Sequence, residues 1–202
     1  MSLPVPPVLV ITDRHQAKQP LEDIATALFA GGCRWLSLRE KDLPASERRA
    51  LLQRLVALAK DCSSTLTVHD DLDAAAALGL GLHLPAQGSV AEARRVLGAK
   101  ALIGISTHSV EDVAEAIVAG ADYATLSPIF LTQSKPGYGP ALGLAALRGP
   151  WALPVLALGG INDGNAAACL EAGASGLAVM GEAMRAANPK GFMADLLARL
   201  PG

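Results

Sequence analysis

The run Tyr123-Ala-Thr-Leu-Ser-Pro-Ile129 is closely followed by Thr132-Gln133-Ser134-Lys135, and Val155-Leu-Ala-Leu158 is followed by Gly159-Gly160. Both runs predict strands that neighbour each other along the chain. Hydroxyl, ammonium and backbone N–H donors therefore follow the carboxyl ends of two strands. Because α/β folds place ligands at this end of their strands, the pattern indicates a phosphate-binding site.

The same alternation, a short strand-like run and then a longer amphipathic run rich in alanine and leucine, occurs eight times along the chain. The clearest helices are 46–60 and 110–119. Eight such units predict an α/β protein with a single (β/α)8 TIM-barrel domain over residues 1–202. A doubly wound open sheet also alternates, but it usually has a glycine fingerprint after its first strand, where this chain has Thr12-Asp13-Arg14-His15. The predicted strands are 8–13, 35–40, 65–70, 81–84, 102–106, 123–129, 154–159 and 176–180.

The composition limits the function classes. The 17 basic and 19 acidic residues are evenly spread and only 3% of the chain is aromatic, which argues against nucleic-acid binding. No stretch approaches the ~20 apolar residues of a membrane span, and no targeting segment is visible. Cys33, Cys62 and Cys169 lack metal-ligand spacing, so we expect packed thiols in a reducing compartment, the cytoplasm.

In a TIM barrel, the carboxyl ends of the strands meet at one end of the barrel, here called the mouth. The predicted strand ends of this chain carry many ionisable and hydroxyl side chains, which stability alone does not require. We therefore predict a ligand site at the mouth. Its candidate residues are Arg39, Lys41, His69, Asp70, Ser106, His108, Thr132, Ser134, Lys135, Gly159, Gly160, Met180 and Gly181.

Four of these strand-end motifs resemble the thiamine phosphate synthase and TenI family. They are Leu-Arg-Glu-Lys at 38–41, Gly-Ile-Ser-Thr-His at 104–108, Thr-Gln-Ser-Lys at 132–135 and Leu-Gly-Gly-Ile at 158–161. The resemblance spans nearly the whole chain and implies a TIM barrel that binds a small phosphorylated thiazole. It assigns the phosphate to Thr132, Ser134, Gly160 and the turn at Met180-Gly181, with Lys135 neutralising its charge. Family barrels often pair through outer helices, so a homodimer is expected.

Two interpretations without a ligand-binding role stay open for these motifs. Residues 132–135 could be a solvated loop ahead of Pro136-Gly137, and Gly159-Gly160 could be a tight junction between a helix and a strand. Their joint occurrence at neighbouring strand ends favours the phosphate site.

The half of the site that binds a pyrimidine pyrophosphate in the synthase departs from that pattern. Ser37 replaces a glutamine, His69 replaces an asparagine before Asp70, and Gly88 falls where the synthase has a second magnesium-binding aspartate. Magnesium prefers carboxylates together with substrate phosphates, so Asp70 is the candidate metal ligand if the chain is a synthase. The loop 84–89 instead resembles the TenI branch, which aromatises a thiazole phosphate carboxylate tautomer. That reaction needs no second substrate, and we expect no cofactor for it.

Two histidines have different predicted roles. The resemblance makes His108 the acid-base group of a tautomerase, and an imidazole suits proton transfer near neutral pH. Its structural alternative is a loop residue before the helix cap Ser109, with Asp112 completing a capping box. For His83, in the apolar stretch Gly81-Leu-His-Leu84, we expect a buried side chain bonded to a carboxylate.

Three functions remain, and the sequence favours the first. They are a TenI-like thiazole tautomerase, a thiamine phosphate synthase that uses Mg²⁺, and a non-catalytic barrel that binds thiazole or thiamine phosphates.

Overall fold

The computed structural model describes residues 2–131 and 140–200, and its eight strands close into a parallel barrel in chain order. Strand β8 pairs with β1, with Val8 opposite Leu177. The predicted TIM barrel is confirmed. The strands are β1 Val8–Ile11, β2 Trp35–Leu38, β3 Thr65–His69, β4 Gly81–Leu84, β5 Ile103–Thr107, β6 Tyr123–Leu126, β7 Val155–Leu158 and β8 Gly176–Val179.

Helices follow the strands on the outside of the barrel. The predicted helix 110–119 has the observed bounds, and the helix predicted at 46–60 is longer by one residue at each end. No helix in the described ranges is long and apolar enough to cross a membrane. The helices are α1 Leu21–Ala30, α2 Ala45–Asp61, α3 Leu72–Leu78, α4 Val90–Leu97, α5 Val110–Ala119, α6 Ala166–Glu171, α7 Gly181–Arg185 and α8 Pro189–Leu197, with a 3₁₀ turn at Leu144–Leu147.

Several strands end earlier than predicted. Strand β1 stops at Ile11 because the next residue turns into the loop, where Thr12 Oγ1 accepts a hydrogen bond from the backbone N of Arg39 at 2.9 Å. Strand β6 stops at Leu126, so Ser127 and Pro128 belong to the loop that follows it. Side chains at these positions therefore reach the mouth from loops.

Aromatic side chains fill part of the barrel interior. Trp35 and Tyr123 are fully buried and meet edge to face, with ring centroids 4.7 Å apart. Gly104 makes room for them, since a Cβ there would lie 2.0 Å from Cζ of Tyr123. The sequence alternation that points Trp35 inward points Leu36 and Leu38 outward, toward the main core under the helices.

Candidate active site

A cavity of about 310 Å³ opens at the carboxyl ends of the strands. This is the mouth that the sequence predicts as the ligand site. The predicted residues that line it are Arg39, Lys41, His69, Ser106, His108, Gly159, Gly160, Met180 and Gly181. Thr132, Ser134 and Lys135 lie outside the described residues, so their assignment to the phosphate stays a prediction.

Asp70 lies at the rim of this cavity and does not line its wall. Its Oδ2 is 3.2 Å from Nζ of Lys41, and both side chains are about half exposed. The backbone of Asp70 has a φ of 52°, a left-handed conformation that Asp tolerates better than most residues. The predicted carboxylate therefore lies beside the Lys41 ammonium, which lines the cavity, but does not line the cavity itself.

The loop after β2 supplies two cations of the site. Arg39 and Lys41 both line the cavity, whereas Glu40 between them is buried and turns toward the first loop. There its carboxylate accepts hydrogen bonds from the backbone N and the guanidinium of Arg14. Glu40 therefore points away from the cavity and holds the first two loops together.

The glycine pair after β7 lines the cavity and packs directly against the loop that follows β6. Gly159 and Gly160 have φ values of 97° and 67°, which favour glycine. A Cβ on Gly159 would lie 2.8 Å from Cα of Pro128, and one on Gly160 would lie 2.7 Å from the carbonyl oxygen of Leu131. The pair is thus a tight junction and also a stretch of exposed backbone at the cavity wall, so the two interpretations of this motif are compatible.

After β8, the chain turns at Met180 into the short helix α7, which begins at Gly181. Met180 packs against the interior aromatic cluster and also lines the cavity. Its position agrees with a packing role for the side chain. Gly181 brings the first backbone N–H groups of α7 to the same wall as Gly160.

His108 has a defined orientation at the cavity wall. Its Nδ1 lies 3.0 Å from the backbone oxygen of Ser127, and its backbone N donates to Oδ2 of Asp112 at 2.7 Å. Because a carbonyl oxygen only accepts hydrogen bonds, Nδ1 carries the proton and Nε2 is the basic nitrogen of the neutral ring. Ser109 caps α5 as predicted, since its Oγ accepts from the backbone N of Asp112 at 3.0 Å, and the Asp112 carboxylate reaches back to the backbone of both Ser109 and His108.

His83 is fully buried in the barrel interior beneath the mouth. Its Nδ1 lies 2.9 Å from the hydroxyl of Tyr123 and its Nε2 lies 3.0 Å from Oγ of Ser106. The expectation of a carboxylate partner was therefore wrong, because two hydroxyls bond the ring. Burial, helped by the charges of Lys41 and Arg39, lowers the pKa of His83 to about 3, so the imidazole is neutral.

Sequence reasoning missed several side chains that line the cavity. Gln87 comes from the loop after β4, Ser127 from the loop after β6, and Glu182 and Arg185 from α7. Arg185 bonds to Glu182 at 2.6 Å and to Gln16. A signal for Arg185 existed in the sequence, because it lies four residues after Gly181 and so on the same face of a helix.

The residues present fit a magnesium ion only in part. Across residues 2–131 and 140–200, no cluster of three or more carboxylate, histidine or cysteine ligands could hold a metal by itself. Gly88 also has little room for a side chain, since its Cβ would lie 2.8 Å from Cβ of Leu84. The one fitting arrangement is Asp70 together with substrate phosphate oxygens and water, which is how magnesium commonly binds.

A parallel barrel whose mouth combines cations, glycine backbone and an oriented histidine defines a TIM-barrel enzyme that acts on phosphorylated small molecules. The family model described as thiamine monophosphate synthase matches residues 8–183. This chain belongs to that family.

Named relatives agree with the family assignment. The chain is 41% identical over 189 residues to a thiamine-phosphate synthase of Roseiflexus sp. strain RS-1, covering 91% of this chain and 80% of the relative. It is 39% identical over 198 residues to a putative thiamine-phosphate synthase of Geobacter sulfurreducens, and this match covers 95% of this chain and 93% of the relative. The solved structure of a thiamine phosphate pyrophosphorylase from Pyrococcus furiosus superposes with a TM-score of 0.85 at 28% identity. The superposition covers 95% of this chain and 94% of that structure.

Proposed function

We propose that this protein is a thiamine-phosphate synthase, which joins a hydroxymethylpyrimidine pyrophosphate to a thiazole phosphate. The observation that carries the proposal is that two different sets of groups suited to anions line one cavity, namely the cations Arg39 and Lys41 and the backbone of Gly160 and Gly181. A reaction between two phosphorylated substrates needs both sets. Relatives named as synthases, which match at 39–41% identity, support this reading over the tautomerase that the sequence favours.

In this reaction a nitrogen of the thiazole forms a bond to the methylene carbon of the pyrimidine, and the bond from that carbon to the pyrophosphate oxygen breaks. Negative charge builds up on the departing pyrophosphate. The Arg39 guanidinium and the Lys41 ammonium are placed to stabilise this charge, and the planar guanidinium can bind two oxygens at once. The glycine wall holds the phosphate of the thiazole through backbone N–H groups.

Asp70 is the residue that would hold magnesium, with pyrophosphate oxygens and water completing its ligands. When bound, the ion neutralises charge on the pyrophosphate. Lys41 lies 3.2 Å from the Asp70 carboxylate, so the two side chains act on the same part of the substrate. This arrangement leaves Gly88 without a metal-binding role.

The departures from the synthase pattern at Ser37 and His69 are connected. Ser37 Oγ and His69 Nδ1 lie 2.9 Å apart, and both side chains are buried. His69 also stacks close to His83, with ring centroids 4.3 Å apart. His69 thus lines the cavity with its ring held by Ser37 behind it, which is compatible with a working site for a heteroaromatic ring.

The direct test supplies both substrates and magnesium to the purified protein and measures thiamine phosphate and pyrophosphate. We expect both products in equal amounts. Lys41→Ala should raise the KM for the pyrimidine pyrophosphate, and Asp70→Asn should raise the magnesium concentration needed for half-maximal rate. Val118→Ala, on an exposed position of α5, serves as the control. Absence of thiamine phosphate under all these conditions would overturn the proposal.

A second candidate function, the thiazole tautomerase, rests on the orientation of His108. Its basic Nε2 belongs to a ring on the cavity wall, as proton transfer to and from a substrate requires. The test is incubation with the thiazole phosphate carboxylate tautomer without metal. His108→Gln should abolish its aromatisation and leave phosphate affinity intact, whereas the synthase reaction needs no proton transfer by this ring.

If both assays show no turnover while thiazole phosphate still binds, the non-catalytic barrel is the remaining function. The cytoplasmic location and the homodimer stay predictions, which fractionation and sedimentation would test.

A further inference from the structure

A chain of hydrogen bonds runs from the buried interior of the barrel to the cavity. It begins at the hydroxyl of Tyr123, passes through both nitrogens of His83 at 2.9 and 3.0 Å, and ends at Oγ of Ser106. Tyr123 and His83 are fully buried, whereas Ser106 lines the cavity. Three different strands, β4, β5 and β6, therefore supply one continuous polar path.

Strand register brings these residues together. His83 lies opposite Gly104 on β5, and Gly104 lies opposite Tyr123 on β6. Because Gly104 has no side chain, the Tyr123 ring passes over it and reaches His83. Ser106 lies two residues further along β5 and so points to the same side of the sheet as Gly104, one layer closer to the mouth.

The positions of the hydrogens follow from the rule that buried polar groups are hydrogen-bonded. A neutral imidazole donates from one nitrogen and accepts at the other. If Nδ1 accepts from the Tyr123 hydroxyl, Nε2 carries the proton and donates to Ser106 Oγ. In the opposite tautomer the buried phenol would donate to Thr67 beside it, but the contact between Tyr123 and Thr67 lacks normal hydrogen-bond geometry, whereas both contacts of the His83 ring have it.

We propose that His83 is a positioning residue, which Tyr123 fixes as the Nε2–H tautomer so that the Ser106 hydroxyl hydrogen is directed into the cavity. Since Ser106 Oγ already accepts from His83, its own hydrogen is available for an acceptor atom of a ligand. Ser106 is thereby a ready donor whose orientation needs no rearrangement when the ligand binds. The choice of ligands rests on the proposed function, whereas the hydrogen-bond pattern does not depend on it.

The test combines a spectroscopic readout with a double-mutant cycle. In protein with ¹⁵N-labelled histidine, the His83 shifts should report a neutral ring with Nε2 protonated. Affinities of Tyr123→Phe, Ser106→Ala and the double variant are then measured by calorimetry with thiazole phosphate and with inorganic pyrophosphate. We expect Ser106→Ala to lower the affinity for one of these two ligands by about tenfold, the usual effect of losing one hydrogen bond. Tyr123→Phe should lower the affinity for the same ligand, but it should cause no further loss of affinity in protein that already carries Ser106→Ala.

Thr125→Val is the matched control, because Thr125 Oγ1 is also buried on β6 and makes no hydrogen bond among the described residues. It should leave both affinities unchanged. Independent, additive losses in the cycle, unchanged affinities in Ser106→Ala, or a His83 ring protonated at Nδ1 would each overturn the proposal. His83→Gln, whose amide can still donate to Ser106, provides a second variant if Tyr123→Phe folds poorly. Neither readout requires turnover, so failure of the synthase assay alone leaves this test valid.

Discussion

Arg14 and Glu40 join the first two loops of the mouth. The backbone N of Arg14 donates to both carboxylate oxygens of Glu40, at 3.1 and 3.2 Å, and its guanidinium donates to Oε2 at 3.1 Å. The Glu40 side chain is buried, and Arg39 and Lys41, which line the cavity, flank it in sequence. The loop that carries both cations is therefore anchored by a carboxylate that does not line the cavity.

Glu40→Gln should lower both stability and ligand affinity. The amide keeps the shape but loses the charge that accepts from Arg14, and a hydrogen bond to a charged group contributes about 1.5–3 kcal/mol. We expect a fall of that size in the free energy of unfolding, measured in urea, and a higher KM for the pyrimidine pyrophosphate. Asp42→Asn is the control, because Asp42 pairs with the same arginine at a more exposed position. Equal effects of the two variants would contradict this role of Glu40.

Gly160→Ala should abolish phosphate binding at the glycine wall. The Cβ of an alanine there would lie 2.7 Å from the carbonyl oxygen of Leu131, and the residue would also be strained by the positive φ. Gly79→Ala is a close match, since Gly79 has a φ of 64° but no atom within 4 Å of its added Cβ. We expect Gly79→Ala to cost about 1 kcal/mol of stability and no affinity for thiazole phosphate. Calorimetric titration of both variants with that ligand separates clash from backbone strain.

The neutral, buried His83 should make the protein less stable in mild acid. Its pKa falls from 6.5 to about 3 on folding. Below about pH 6.5 the unfolded chain binds a proton that the folded chain does not, so the free energy of unfolding decreases by up to about 1.4 kcal/mol per pH unit, down to about pH 3. Urea titrations from neutral to mildly acidic pH should show this slope. His83→Gln should show a smaller one, and an equal slope would contradict the assignment.

Alkylation of the native protein should modify Cys62 first. Burial raises the pKa of the Cys33 thiol to about 12 and that of Cys169 to about 11, so neither forms the reactive thiolate at mildly alkaline pH. Both are fully buried, whereas Cys62 is partly exposed just after α2. Peptide mass spectrometry after brief treatment with iodoacetamide is the measurement. Modification of Cys33 or Cys169 at the same rate as Cys62 would contradict it.

Much of the fold could be predicted because strand and helix patterns are local. Each of the eight strands overlaps its predicted range, and the predicted cap Ser109 accepts a hydrogen bond from the first turn of α5. Candidate residues such as Arg39, His108 and Gly160 followed from the same reasoning, since strand ends in a barrel share one mouth. The side chains that the loops bring to the cavity were harder to predict. Gln87 and Ser127 face the cavity because of loop conformations that no periodic pattern encodes.

By itself, the sequence determined the order of the βα units and the end of the barrel that carries the chemistry, because both depend on residues that are neighbours along the chain. The tertiary structure decided which side chains meet. The bonding of His83 to Tyr123 and Ser106 depends on the register of β4, β5 and β6, and the pairing of Arg14 with Glu40 depends on two loops that contact each other only in the closed barrel. Such contacts are set by packing between strands remote in sequence, where one residue of register changes which side chain faces the interior.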